Sequence, residues 1–176
     1  MELLSRNYFE LFGLPTQFRI DSDRLDQNYR KLQSEFHPDR FVSGSASEQK
    51  QSFQVAAHVN DAYRTLKHPT QRARYLLKLR GVDTLEESNT AMPADFLMKQ
   101  MEWREAIEEA KNDHNLAELD NLLQLMKVTS KDYLSKLETD LADDKDLVSA
   151  SSIVRKLSFV DKVTSDIEQI IIGIED

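Results

Sequence analysis

The 176-residue sequence contains no cysteine, which excludes disulfides, thiolate metal sites and a cysteine nucleophile. Glycine and proline are scarce, four of each, and no long apolar–polar alternation points to a sheet. The chain is therefore read as all-α. No apolar run approaches the roughly 20 residues that a membrane-spanning helix needs. Met1-Glu2-Leu3-Leu4-Ser5-Arg6 runs quickly into polar residues, unlike a secretory signal. These absences predict a soluble, cytoplasmic protein without a membrane partner.

Charge is abundant but uneven. The net charge is −8. Residues 1–80 hold 13 Lys and Arg against 9 Asp and Glu, a balance of +4, whereas residues 81–176 hold 10 against 22, a balance of −12. Such asymmetry argues for two units with different partners. The basic half lacks the dense clustering that tracks nucleic-acid phosphates, so an acidic protein partner is expected and a nucleic acid is not.

A short helix is expected over Asn7–Phe12, ended by Gly13-Leu14-Pro15. Asp21 is a good N-cap for a helix with Asp23 in its first turn and Leu25, Tyr29, Leu32 and Phe36 on one stripe. Pro38 disfavours the α conformation at His37 and should stop it. Ser45-Ala46-Ser47-Glu48 has capping-box spacing and should open the next helix, with Phe53, Ala56, Ala57, Asn60, Tyr63 and Leu66 on its stripe before Pro69 ends it. Two helices of similar length joined by a polar loop predict an antiparallel hairpin with His37-Pro38-Asp39 exposed at its tip. Thr70–Arg80 reads as a further helix closed by Gly81, and 82–93 as a linker.

Three longer helices are expected beyond that linker. One runs from Ala94 to Asn112. Another follows Asn115, where Asn115-Leu116-Ala117-Glu118 resembles a capping box, with Leu119, Leu122, Leu123, Met126, Tyr133, Leu137 and Leu141 in line. The last spans Lys145–Ile174, with Ile153, Leu157, Val160, Ile167 and Ile171 in line. Short polar turns between them predict an antiparallel three-helix bundle. The division expected is 1–81, a linker over 82–93, and 94–176.

Two places carry residues that a structural role alone does not explain. The first is His37-Pro38-Asp39. A second His-Pro pair, His68-Pro69-Thr70, serves as an internal control: Pro69 ends a helix and His68 lies on its last turn. The loop at 37–39 instead joins two facing stripes. A His and an Asp two apart also fit an acid–base pair or two metal ligands, but no third ligand or nucleophile is placed nearby by sequence. At about 100° per residue, Arg24, Gln27, Arg30, Lys31 and Ser34 lie opposite the stripe of the preceding helix. A charged face is usually just solvated; beside the loop, it suits docking on an acidic protein surface.

The second place is the helix from Ala94. Phe96, Trp103, Ile107 and Ala110 share a side, whereas Leu97 and Met101 lie about 100–140° from Phe96 and Met98 about 200°. Glu102, Arg104, Glu105 and Glu108 share or border that sector. A Leu-Met-Met cluster rimmed by charge reads as an adaptable binding patch, unless another helix or the N-terminal half covers it. Phe159 lies about 80–100° off the stripe of the last helix and could join the patch.

Residues 7–77 resemble the J-domain family, the modules that activate DnaK-type chaperone ATPases. The resemblance rests on Asn7-Tyr8-Phe9-Glu10-Leu11-Phe12-Gly13-Leu14, which is similar to an opening Tyr-x-x-Leu-Gly-Leu pattern with Phe12 inserted. It rests equally on His37-Pro38-Asp39 and on Ala62-Tyr63-Arg64-Thr65-Leu66 followed by Pro69, Arg72 and Tyr75. Leu76 stands where a typical member has Asp, and Arg40 where it has Lys. The resemblance implies that His37, Pro38, Asp39, Arg40, Arg30 and Lys31 bind the chaperone and stimulate its ATPase.

His37-Pro38-Asp39-Arg40-Phe41-Val42, Phe96-Leu97-Met98-x-Gln100-Met101-Glu102-x-Arg104-Glu105 and Arg155-Lys156-Leu157-x-Phe159-x-Asp161-Lys162 together resemble the HscB family, over nearly the whole chain. Lys99 and Met101 depart in type from the commonest pattern. This resemblance implies a co-chaperone of iron–sulfur cluster assembly, whose C-terminal bundle binds the scaffold protein IscU and whose J domain serves an HscA-type chaperone. The client residues carried over are Leu97, Met98, Met101, Glu102, Arg104, Glu105 and Phe159. ATP and magnesium would belong to the chaperone and the cluster to the scaffold, so no cofactor, metal site or catalytic residue is expected here. Eukaryotic relatives often add a cysteine-rich zinc segment at the front; its absence implies a bacterial-type form. A monomer is expected, with self-association left open. A J-protein with another client, and a hydrolase using His37 and Asp39, are the alternatives.

Overall fold

The computed structural model describes residues 2–84 and 92–175, so much of the expected linker over 82–93 lies outside the described residues. Among the described residues there are helices and no strand. The chain divides into two compact units, Met1–Leu76 and Leu77–Asp176.

In the first unit, helix α1 (Glu2–Ser5) was not anticipated. Helix α2 (Tyr8–Leu11) is shorter than the expected Asn7–Phe12, because those two residues are its caps. Asn7 Oδ1 accepts from the Glu10 amide at 3.0 Å, and Glu10 Oε2 accepts from the Asn7 amide at 3.1 Å. This reciprocal capping box satisfies amides that a short helix leaves open. Gly13 ends the turn at φ +59°, a left-handed conformation that glycine adopts without steric cost.

Helix α3 (Ser22–Glu35) starts at Asp21, whose Oδ1 accepts from the Arg24 amide at 3.0 Å, and ends at Phe36, just before His37 and Pro38. Helix α4 (Ala46–Lys67) opens at Ser45 with the expected capping box to Glu48. The two are of unequal length, 14 and 22 residues, rather than similar as expected: α3 is bounded by its Asp21 cap and by the His37-Pro38 stop, whereas α4 runs uninterrupted from Ser45 to the extended backbone at His68 before Pro69. Their register is antiparallel: the Tyr29 hydroxyl donates to Asn60 Oδ1 at 3.0 Å, while Asp26 Oδ1 accepts from the Tyr63 hydroxyl at 3.1 Å and from Lys67 Nζ at 2.7 Å.

The stripe expected on α4 is corrected. The buried residues are Ser52, Val55, Val59, Ala62 and Leu66, one residue out of phase with much of the reading, and Phe53 is 60 % exposed. The bulky rings of the expected stripe do not set the phase of the helix: Phe53 lies in solvent and Tyr63 is only half-buried, on the rim of the α3–α4 seam. His68 is also corrected. It is not on the last turn of α4 but is its C-cap, in extended backbone. Pro69 begins helix α5 (Pro69–Leu79), where its missing N–H removes no helical bond. Phe9, Phe12, Leu25, Leu66 and Leu76 are fully buried in this unit, each such side chain contributing about 1.5–3 kcal/mol.

The second unit holds helices α6 (Ala94–Asn112), α7 (Leu116–Leu141) and α8 (Leu147–Glu175). Asn115 Oδ1 caps α7 on the Glu118 amide at 3.1 Å. The α7–α8 corner contains a 3-10 turn, Ala142–Asp144. Buried Asp140 accepts from the Ser149 hydroxyl at 2.5 Å, and Arg80 Nη1 reaches both the Leu141 carbonyl at 3.2 Å and Asp144 Oδ1 at 2.6 Å. Leu119, Met126, Leu137, Leu157, Val160 and Ile167 fill the bundle core without solvent exposure. Ring contacts match Trp103 with Phe159, and a groove farther along matches Lys111 with Ile170, so α6 and α8 run parallel, with α7 antiparallel between them in sequence.

Candidate functional site

His37 ends the α3 side of the loop in extended backbone and is the N-cap of a 3-10 turn, Pro38–Phe41, with Pro38 in its first position. His37 Nδ1 accepts from the Asp39 amide at 3.3 Å and lies 3.6 Å from Asp39 Oδ2. A neutral ring holding that bond carries its proton on Nε2; a protonated ring presents an Nδ1–H to the carboxylate instead. The side chains are 52 % and 87 % exposed.

The turn is held from both flanks. Arg40 Nη1 donates to the Ser34 carbonyl at 3.2 Å, tying it to the last turn of α3. Gln49 Nε2 donates to the carbonyls of Val42 at 3.1 Å and Gly44 at 3.0 Å, tying it to α4. The Ser45 hydroxyl and amide hold the Glu48 carboxyl below the usual carboxylate range. The loop thus displays Asp39 on a braced support. Arg24, Gln27, Arg30, Lys31 and Ser34 all lie exposed on α3, opposite buried Leu25 and half-buried Tyr29, Leu32 and Phe36. Among the described residues, no three His, Asp or Glu side chains are grouped to hold a metal.

On α6, Leu97, Met98 and Met101 are 45 %, 63 % and 71 % exposed, and Glu102, Arg104 and Glu105 are exposed beside them. Phe159 is placed differently from a free surface residue. It is half-buried, edge-on to Phe96 at 5.8 Å and stacked on Trp103 at 6.2 Å, with the Arg104 guanidinium 5.6 Å over its ring. Phe96 also meets Tyr133 at 6.4 Å and lies under Lys156 Nζ at 5.5 Å. An aromatic cluster of Phe96, Trp103, Tyr133 and Phe159 therefore lies on the bundle side of α6, and Phe159 reaches the charged border of the Leu97-Met98-Met101 surface at Arg104. Sequence reasoning missed Trp103 and Lys156 in this role. The four-residue step from Trp103 to Ile107 signalled a core position, but nothing in the sequence signalled ring pairing across helices.

A hairpin displaying His-Pro-Asp at its tip beside a basic helix face defines the class: this is a J-domain protein. The family description "DnaJ domain" matches residues 7–75, and "HSCB C-terminal oligomerisation domain" matches residues 92–168. The chain belongs to the HscB family of co-chaperones. It is 45 % identical over 173 residues to the co-chaperone protein HscB homolog of Cupriavidus taiwanensis, covering 98 % of both chains. It is 46 % identical over 167 residues to that of Burkholderia thailandensis, covering 95 % of each. Among solved structures it is similar to the chaperone HscB from Vibrio cholerae, with TM-score 0.85, 37 % identity and coverage of 96 % of this chain and 99 % of the other. The human co-chaperone protein HscB superposes with TM-score 0.87 at 31 % identity, covering 94 % and 82 %. Membership with a J domain implies partnership with an Hsp70-type chaperone in iron–sulfur cluster biogenesis. No helix among the described residues is long and apolar enough to cross a membrane.

Proposed function

We propose that this chain is a cytoplasmic two-site adaptor without chemistry of its own. Residues 94–176 hold the iron–sulfur scaffold IscU through Leu97, Met98, Met101, Glu102, Arg104, Glu105 and Phe159. Residues 1–81 engage an HscA-type chaperone through His37, Pro38, Asp39 and Arg40, with Arg30 and Lys31 steering the encounter with an acidic surface. Joining both sites on one chain raises the scaffold's effective concentration at the chaperone. The loop stimulates the ATPase by binding its hydrolysis-competent state more tightly than the alternative. Cluster maturation and transfer are aided in consequence.

The observation that carries this reading is the braced, exposed His37-Pro38-Asp39 turn beside an exposed basic face. The test is steady-state ATP hydrolysis by the cognate chaperone with scaffold present, comparing wild type with Asp39→Asn. Loss of stimulation with scaffold binding retained supports the adaptor. Equal stimulation by the variant reduces the loop to a turn. Turnover by this chain alone would favour a hydrolase.

A further inference from the structure

The apolar patch on α6 does not stop at Arg104. Leu97, Met101, Arg104 and Glu108 follow one another at steps of three and four residues, so they form one ridge about 16 Å long. All four are exposed. Beyond Arg104 this ridge borders an open groove against α8. The facing ridge runs through Phe159, Lys162, Asp166 and Ile170, again at steps of three and four. Ile107 and Val163 make the floor.

The groove has the composition of an unfilled anchor site. Its floor is apolar, and Phe159 and Ile170 remain half-buried on its walls. Arg104 and Lys162 supply positive charge, and Glu108 and Asp166 negative charge. The ion pairs among the described residues use none of these four. Charges of both signs around an apolar floor suit one apolar side chain flanked by polar backbone, the anatomy of an interface anchor and its rim.

We propose that the α6–α8 groove between Phe159 and Ile170 is a second contact for the same scaffold client, receiving an apolar side chain of it. The inference rests on the client reading given above, because the argument for the occupant is continuity. Phe159 and Arg104 belong at once to the α6 patch and to the mouth of the groove. A partner resting on Leu97 and Met101 therefore meets the groove without leaving the ridge. Sequence spacing within either helix does not reveal the groove, since its walls are more than fifty residues apart in the chain.

The test is calorimetric titration of purified IscU-type scaffold into the full chain. Lys162→Glu reverses a wall charge, and Gln169→Trp, at another exposed lining position, plugs the groove; Leu97→Ala serves as the patch control. Each groove variant should weaken binding by about 5–10-fold, with helicity and unfolding midpoint kept. Wild-type affinity in both groove variants, with Leu97→Ala weakened, would overturn the groove and leave the patch standing. No binding by wild type would overturn both. If sedimentation showed that the groove variants lose only self-association, the groove would be a contact between copies of this chain, and the inference would fall.

Discussion

Tyr29 and Tyr63 stack with ring centroids 3.9 Å apart and planes 15° from parallel, closing the seam between α3 and α4. The Tyr63 hydroxyl donates to Asp26, which also binds Lys67. Tyr63→Ala should cost about 3 kcal/mol, because it removes a ring from a packed seam. Tyr63→Phe keeps the stack and should cost about 1 kcal/mol for the hydrogen bond. Urea unfolding followed by far-UV circular dichroism would separate the two; equal costs would show that the ring stack contributes little.

The same seam should carry an acid dependence. Hydrogen bonds from Lys67 and then Tyr63 hold the Asp26 carboxyl below its ordinary value. A carboxyl with a depressed folded-state pKa contributes stability above its unfolded value of about 4, lost as pH falls through the lower folded value. Asp26→Asn should therefore flatten the acid limb of the unfolding-midpoint profile below about pH 4.

At the alkaline end, burial and then the hydrogen bond to Asp61 push the Tyr8 phenol up to about 12. Its folded value exceeds the unfolded value of about 10, so its contribution is intact below pH 10 and lost as pH rises towards 12. Spectroscopic titration of phenolate absorbance should show a late-ionising tyrosine that disappears in Tyr8→Phe.

Arg40→Ala cuts the tie between the loop and the Ser34 carbonyl while leaving His37, Pro38 and Asp39 in place. Global stability should change by less than about 0.5 kcal/mol, since the residue is exposed. ATPase stimulation should fall severalfold, and Arg40→Lys should restore it only in part, because lysine replaces charge but not the guanidinium's reach and geometry. Unchanged stimulation in both variants would mean that the brace is dispensable.

Leu97→Ala and Met101→Ala should weaken scaffold binding at little cost in stability, because both side chains are exposed, Met101 more than Leu97. Phe159→Ala should do both, lowering affinity and removing about 2 kcal/mol from the bundle through the rings it packs against. Paired calorimetry and thermal unfolding would expose the contrast.

The features readable in the sequence are those set by neighbours along the chain. Asp21, Ser45 and Asn115 cap their helices as expected because capping needs an acceptor within three residues. The boundaries of α6 are the expected Ala94 and Asn112. The exposure of Leu97, Met98 and Met101 follows from 100° steps away from Phe96. The inward face of α4 was misread because small residues line it: Ser52 and Ala62 are less apolar or smaller than their neighbours Phe53 and Tyr63, yet close packing selects them. Phe159 shows the same limit, since its half-burial depends on rings from α6.

Trp103 is the single tryptophan of the chain and lies stacked on Phe159, the ring that the Arg104 guanidinium covers. Its emission is therefore tied to one small region of a protein whose remaining aromatic rings are phenylalanine and tyrosine. Any partner that shifts Phe159 or excludes water from Arg104 alters the surroundings of that indole. The protein carries its own optical probe next to the proposed client patch, and occupancy there can be followed by intrinsic fluorescence without a label.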